Sequence, residues 1–236
     1  MRTNVEIIAR AGSSGGSHRA SGALSVRQTG RDRVHLVGAA AHPVGGDDTD
    51  IRIVVEAGAR LTVTSVAASI ALPSRDRVDS RATWHIEVAP GGTLLLDPEP
   101  TVVAGGAEHL SEVFASVAAD GNVVIVEHVQ IGRSSVHREK DLAGRWSGVL
   151  HVDVDGRPLL RHRIELGRGS VAAAAGHHAA SSIFRRPDIR PAYVAANDFA
   201  ARMSLSGGGS LTNVVAATVA QTRRLCDDLD LAALAH

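Results

Sequence analysis

Short runs of alternating apolar and polar residues, each ending in a glycine-bearing turn, recur through the first two thirds of the chain. Ile53-Val54-Val55 leads through Glu56-Ala57-Gly58-Ala59 into Leu61-Thr62-Val63, and Ile86-Glu87-Val88 leads through Ala89-Pro90-Gly91-Gly92 into Leu94-Leu95-Leu96. Val117 leads through Asp120-Gly121 into Val123-Val124-Ile125-Val126, and Val152-Asp153-Val154 through Asp155-Gly156 to Leu159 and Ile164. The turn glycines Gly58, Gly91, Gly121 and Gly156 are spaced by 33, 30 and 35 positions. That regularity predicts stacked β units sharing one continuous core. The expected fold is mainly β, with layered sheets built from strand-turn-strand repeats and a C-terminal helix. Such a chain is more often a scaffold than a catalyst.

The flanks read differently. Residues 1–22 include Gly12-Ser13-Ser14-Gly15-Gly16-Ser17 and are expected to be a flexible lead-in, with residues 23–236 forming one β-rich domain whose first strands lie near Ala23–Val26 and Val34–Val37. Val171–Ile183 is Ala-rich and fits either a strand pair or a short helix, which periodicity alone does not decide. Arg185-Arg186-Pro187-Asp188 and Arg190-Pro191 stop any helix there. Ser206-Gly207-Gly208-Gly209-Ser210 reads as a turn. From Leu211 the chain begins like a strand, then turns helical from about Ala217. Val215, Val219, Thr222, Leu225, Leu229 and Leu234 approximate one apolar face, available to a partner.

Composition narrows the class. The chain has 236 residues, enough for one β-rich domain of the common ~200–250-residue size. Hydrophobic residues make up 44% but aromatics only 3%, so Val, Leu, Ile and Ala must fill the core. Basic and acidic residues balance at 25 each, which leaves no uniform field for a polyanion and argues against nucleic acid. The single Cys226 has no disulfide partner and points to a reducing compartment. No stretch reaches the ~18 apolar residues of a membrane span, so a cytoplasmic location without membrane contact is expected.

The common catalytic signatures are missing. There is no G-x-x-x-x-G-K-[ST], no G-x-G-x-x-G, no H-E-x-x-H, no C-x-x-C and no G-x-S-x-G, so the chain is expected not to be an enzyme and to hold no cofactor tightly. Twelve histidines invite a metal reading, with His42 near Asp47, Asp48 and Asp50 and with His177 beside His178. Adjacent histidines on a strand point to opposite faces, and most of these side chains are expected to be solvated. Asp47 follows Gly45-Gly46 where the chain turns into a strand, a position suited to accepting backbone N–H bonds. Glu127 stands apart. Alternation puts it on one face with Val123, Ile125, Val129 and Ile131, opposite His128 and Gln130. A carboxylate on such a face is either half of a structural ion pair with an arginine or a polar group lining an internal passage.

Several of these segments resemble the urease accessory protein family UreD, called UreH in some organisms. Pro43-Val44-Gly45-Gly46-Asp47-Asp48-Thr49-Asp50-Ile51-Arg52-Ile53 is similar to the family's Gly-Gly-Asp entry to a strand, followed by Gly58-Ala59 and the Thr-rich Leu61–Ala68. Leu96-Asp97-Pro98-Glu99-Pro100-Thr101-Val102-Val103 resembles its Leu-Pro-x-Pro/Glu-x-Ile stretch, and Glu127 falls five positions before Gly132-Arg133, where the family's strand carries an acid. Ser69–Arg75 replaces the family's Thr-Lys and Tyr-Arg, which marks a divergent member.

The resemblance implies a mostly β, non-catalytic chaperone that acts with UreF and the GTPase UreG on apo-urease to insert nickel. It implies transient nickel passing along a polar internal tunnel, with Glu127, Asp47 and Glu99 as candidate carboxylates on the route. The rival reading is a stand-alone β-solenoid or β-sandwich enzyme or carbohydrate-binding domain that uses exposed acids such as Glu99 or Asp97.

Overall fold

The structure is a computed structural model describing residues 1–12, 16–132, 144–196 and 198–232. Its strands, in chain order, are β1 (Arg2–Ala9), β2 (Ser17–Ser21), β3 (Leu24–Gly30), β4 (Arg33–Gly38), β5 (Asp48–Val55), β6 (Arg60–Ser65), β7 (Ser69–Ala71), β8 (Asp79–Val88) and β9 (Thr93–Asp97). They continue as β10 (Thr101–Val103), β11 (Glu108–Val117), β12 (Asn122–Ile131), β13 (Arg145–Val154) and β14 (Arg157–Gly167). A one-turn helix, α1 (Val171–Ala174), precedes β15 (Ala179–Arg186), β16 (Tyr193–Val194), β17 (Phe199–Ser204) and β18 (Ser210–Ala216); helix α2 (Val219–Ala232) follows.

Two sheets face each other. The first is seven-stranded in the order β14-β13-β11-β8-β5-β1-β2, and its five middle strands run parallel. The second contains a parallel run β4-β6-β9-β12, extended by antiparallel β15, β18, β17 and β16. Three of the four turn motifs step between the sheets: β5 passes through Gly58 to β6, β8 through Gly91 to β9, and β11 through Gly121 to β12. The fourth, at Gly156, is a hairpin within the first sheet, joining β13 to β14.

The stepping turns stack on one another through backbone bonds, Gly58 N donating to Pro90 O (3.0 Å) and Asn122 N to Gly92 O (2.8 Å). Gly58 and Gly91 both take φ 66°, a left-handed conformation that L side chains adopt only with strain. The repeat period of about thirty residues is therefore one coil of this stack.

Strand alternation explains the core. β5 shows the burial pattern eBiBeBiB, with Thr49, Ile51, Ile53 and Val55 pointing inward. Rows of such residues lie in register across the first sheet, such as Val55, Val88 and Val117, and meet Leu61, Leu94 and Val123 from the second. The first sheet's other face is left to solvent and carries ion pairs such as Arg52 with Glu87 (2.9 Å).

The beginning and end of the chain correct the sequence reading. Arg2–Ala9 is not a flexible lead-in: it forms β1, buries Val5, Ile7 and Ala9, and pairs in parallel with β5 along its whole length. Its alternation was overlooked beside the Gly/Ser run, of which residues 13–15 lie outside the described residues. Helix α2 begins near the expected place, but its apolar face is already used. Thr222, Cys226 and Leu229 are buried, packing with Val126, Ile183 and Val214 on the outer side of the second sheet. Leu234 lies outside the described residues.

The helix is also held by polar contacts. Gln130 Oε1 accepts from Val219 N at 3.0 Å, and buried Arg202 donates to Leu229 O at 2.8 Å. Val171–Ile183 resolves into both alternatives, α1 and then the start of β15.

Candidate functional site

The second sheet is continuous at the turn end and split at the other. β4 ends at Gly38, β6 at Ser65 and β9 at Asp97. After short irregular links, parallel pairing resumes further along, with Val44 bridging Leu72, β7 pairing β10, and β10 pairing β12. Strand β12 alone spans both tiers. Its residues 122–125 pair with β9 and its residues 129–131 with β10. Glu127 falls between the two pairings, with Ser182 of β15 beside it on the other edge.

Behind this split the two sheets enclose a cavity of about 490 Å³. On the first sheet the register row facing it is made of small residues: Thr49, Ala82, Ser111 and Gly148. The next row, Ile51, Trp84, Val113 and Leu150, is bulky. Space therefore opens where side-chain volume drops. Gly148 is required for it, because a Cβ there would meet Trp146 Cη2 at 2.2 Å and Glu127 Oε2 at 3.0 Å. The links 39–43, 66–68 and 98–100 form the mouth, and Ala40, Ala41, Val66, Ala67 and Ala68 are exposed around it.

Glu127 projects into this cavity and accepts a hydrogen bond from Ser111 Oγ at 2.5 Å. Part of its surface is accessible, but that surface opens into the cavity, while protein surrounds the group on all sides. Burial pushes its pKa up to about 7, against a smaller downward pull from Ser111. Among the described residues no arginine pairs with it. The predicted alternation holds: His128 and Gln130 lie on the opposite face, with His128 Nδ1 2.7 Å from Ser181 Oγ and Ser181 donating to Thr222 of α2.

Glu99 stands at the mouth, partly exposed, 3.1 Å from Arg223 of α2. Asp47 does not line the cavity. Its Oδ2 accepts from Val44 N at 2.9 Å and its Oδ1 from the Met1 amine at 2.6 Å, fixing the turn that enters β5. Burial pushes its carboxyl up, but these bonds outweigh burial and hold it below the usual range. Asp47 and Glu127 are thus not brought together. Asp50 faces the other way, toward His85 at 3.5 Å.

Sequence reasoning missed the cavity's imidazoles by treating most histidines as solvated. His109 is 6% exposed and lines the cavity, with Nδ1 2.9 Å from Ser80 Oγ. Burial lowers its pKa to about 4, with a further push from His42. His42, also on the wall, is lowered by burial despite Asp47 nearby, and its Nε2 lies 2.5 Å from Thr49 Oγ1. Both rings are neutral at neutral pH. The alternation of His109, Ser111, Val113, Ala115 and Val117 carried the signal for His109. His177 and His178 lie in the link before β15, where His177 packs on Phe199 at 4.7 Å between ring centroids. Among the described residues no three of His, Cys, Asp or Glu converge to hold a metal ion.

The sequence pattern of the UreD urease accessory proteins matches residues 8–234. The chain belongs to the UreD family.

Urease accessory protein UreD 1 of Saccharopolyspora erythraea is 38% identical over 81% of this chain and 74% of its own length. The UreD of Frankia casuarinae is 33% identical over 95% of this chain and 80% of its own length. That of Streptomyces coelicolor is 31% identical over 96% and 94%. UreD membership gives the chain a place in urease maturation. No helix among the described residues is long and apolar enough to cross a membrane.

Proposed function

We propose that this UreD-family chain is a scaffold for nickel insertion into apo-urease, acting in the cytoplasm with UreF and the GTPase UreG, and that its inter-sheet cavity is the passage for the ion. The observation that carries this reading is Glu127, a carboxylate held inside an otherwise largely apolar sandwich with no cationic partner among the described residues. Keeping such a group uncompensated destabilises the fold. A cation in transit supplies the missing partner. Nickel accepts oxygen and imidazole donors, and an incomplete set of them releases it readily. In this reading Glu99 receives the ion at the mouth and Asp47 is a positioning residue, acting through the turn that carries His42 toward the cavity.

The test is Glu127→Gln in reconstituted urease activation with UreF and UreG. The amide keeps the volume and the Ser111 contact, so fold and complex formation should persist while nickel per urease falls. Normal nickel loading by this variant would sink the passage reading.

A further inference from the structure

We propose that His109, through Nε2, is a second donor to a cation in the cavity, forming with Glu127 a waypoint of one imidazole and one carboxylate. The inference rests on the reading that a divalent metal crosses this cavity, and it adds a residue and an atom to it.

Position comes first. His109 and Ser111 lie two residues apart on the same inward face of β11, a rise of about 7 Å. Ser111 holds Glu127 Oε1 at 2.5 Å, so the carboxylate reaches from β12 to the β11 face two positions from the ring, and both line the cavity.

The hydrogen bonds then fix the chemistry of the ring. Ser80 Oγ lies 2.9 Å from His109 Nδ1 and 3.5 Å from the carbonyl oxygen of Glu108. With the serine proton on that carbonyl, which can only accept, Ser80 accepts from Nδ1–H, and this is the tautomer the proposal requires. Nε2 is left with its lone pair free. Among the described residues it makes no hydrogen bond, although the residue is only 6% exposed.

The Ser80 contact is also the kind that orients metal-binding imidazoles, setting tautomer and ring direction from behind. One nitrogen and one oxygen suit a borderline divalent ion such as nickel. With no third His, Cys, Asp or Glu converging among the described residues, the site binds weakly and exchanges its ion.

The experiment is a residue-resolved titration of the full chain, labelled with ¹⁵N at histidine, with Ni²⁺ alone, alongside nickel transfer to urease. His109→Gln assigns the resonance. The Nδ1-protonated tautomer is expected for His109, with paramagnetic broadening of its ring signals by Ni²⁺. His109→Gln should slow transfer about tenfold while leaving the melting temperature near wild type at pH 7, and Ser80→Ala should disturb the tautomer and slow transfer by a similar factor. If His109 shows the opposite tautomer, escapes broadening, or transfers normally as Gln while Glu127→Gln fails, the His109 proposal is wrong and the passage stands. If Glu127→Gln also transfers normally, the passage reading itself fails and the waypoint goes with it.

Discussion

The two ends of the space between the sheets are built from the same strands and do opposite things. At the turn end, rows such as Val55, Val88 and Val117 meet Leu61, Leu94 and Val123, and all six are at most 5% exposed. At the other end the same strands present Thr49, Ala82, Ser111 and Gly148, the facing sheet is split, and Glu127 and several imidazoles, among them His42, His109 and His162, line a cavity. One strand can serve both ends because each inward position is a separate choice of volume and polarity at a fixed register. The packed end supplies stability and can afford the polar one.

The largest effect should therefore come from the packed end. Ile53 is fully buried in the first sheet, level with Ile86. Ile53→Ala should cost about 2–5 kcal/mol through lost burial and a residual void. Chemical denaturation checks this, with a shifted midpoint and unchanged slope expected. Ser111→Ala, at the cavity end, removes little volume beside existing space and should cost much less. Equal losses at the two sites would erase the contrast.

The cavity end should instead reveal itself through pH. Glu127 has a folded pKa of about 7 against an ordinary 4.5, so the folded state holds its proton longer than the unfolded state. Stability should then decline as pH rises from about 4.5 through 7, by about 3 kcal/mol once the group is fully ionised. His109 works in the opposite sense: with a folded pKa of about 4 it stays neutral, and stability is lost as pH falls from about 6.5 through 4. Glu127→Gln should flatten the alkaline limb and melt higher than wild type at pH 8. A lower melting temperature there would mean that an unseen cation pairs with Glu127.

Asp47 sharpens the comparison from outside the cavity. Asp47→Ala removes the acceptor for Val44 N–H at the entry to β5 and should cost about 1–3 kcal/mol by thermal melt. Asp47→Asn, which keeps one acceptor oxygen, should recover part of that. Because the folded carboxyl is held below its usual range, its contribution is present above the ordinary Asp pKa and fades as pH falls through the lowered one. Loss of urease activation without loss of stability would instead argue for direct contact with the ion.

The packed end was legible in the sequence and the cavity end only partly so. Turn glycines and alternating Val, Ile and Leu repeat at each coil, so the stack, the continuous core and the C-terminal helix follow from local pattern. Glu127 was legible for the same reason, as one acid breaking an apolar alternation. The split in the second sheet was not, because Pro98-Glu99-Pro100 and Val66-Ala67-Ala68 read as ordinary strand ends until register shows them stacked. His109 was hidden by a residue-type expectation, although its strand alternates as clearly as β12. The helix face was misassigned because amphipathicity tells that a surface is covered and not by what. Covering came from the chain's own sheet.

The smallest expected effect is at the mouth. Glu99 and Arg223 form a partly exposed pair at 3.1 Å, of the kind worth between about 0 and 1 kcal/mol, so Glu99→Gln should barely move the melting temperature. Its effect on transfer should nevertheless be measurable, because the exposed rim residues Ala40, Ala41 and Val66–Ala68 are uncharged and Glu99 is the only carboxylate besides Glu127 among the described residues lining the cavity. A charge at an entrance raises the local concentration of an oppositely charged ion, and salt weakens that over a Debye length of about 8 Å at physiological ionic strength. Nickel transfer by Glu99→Gln should lag wild type at low salt and converge with it as salt rises, whereas Glu127→Gln, acting inside, should stay slow at every salt concentration. A Glu99→Gln defect that ignores salt would place Glu99 in direct coordination, and no defect at low salt would move the entrance elsewhere on the stack.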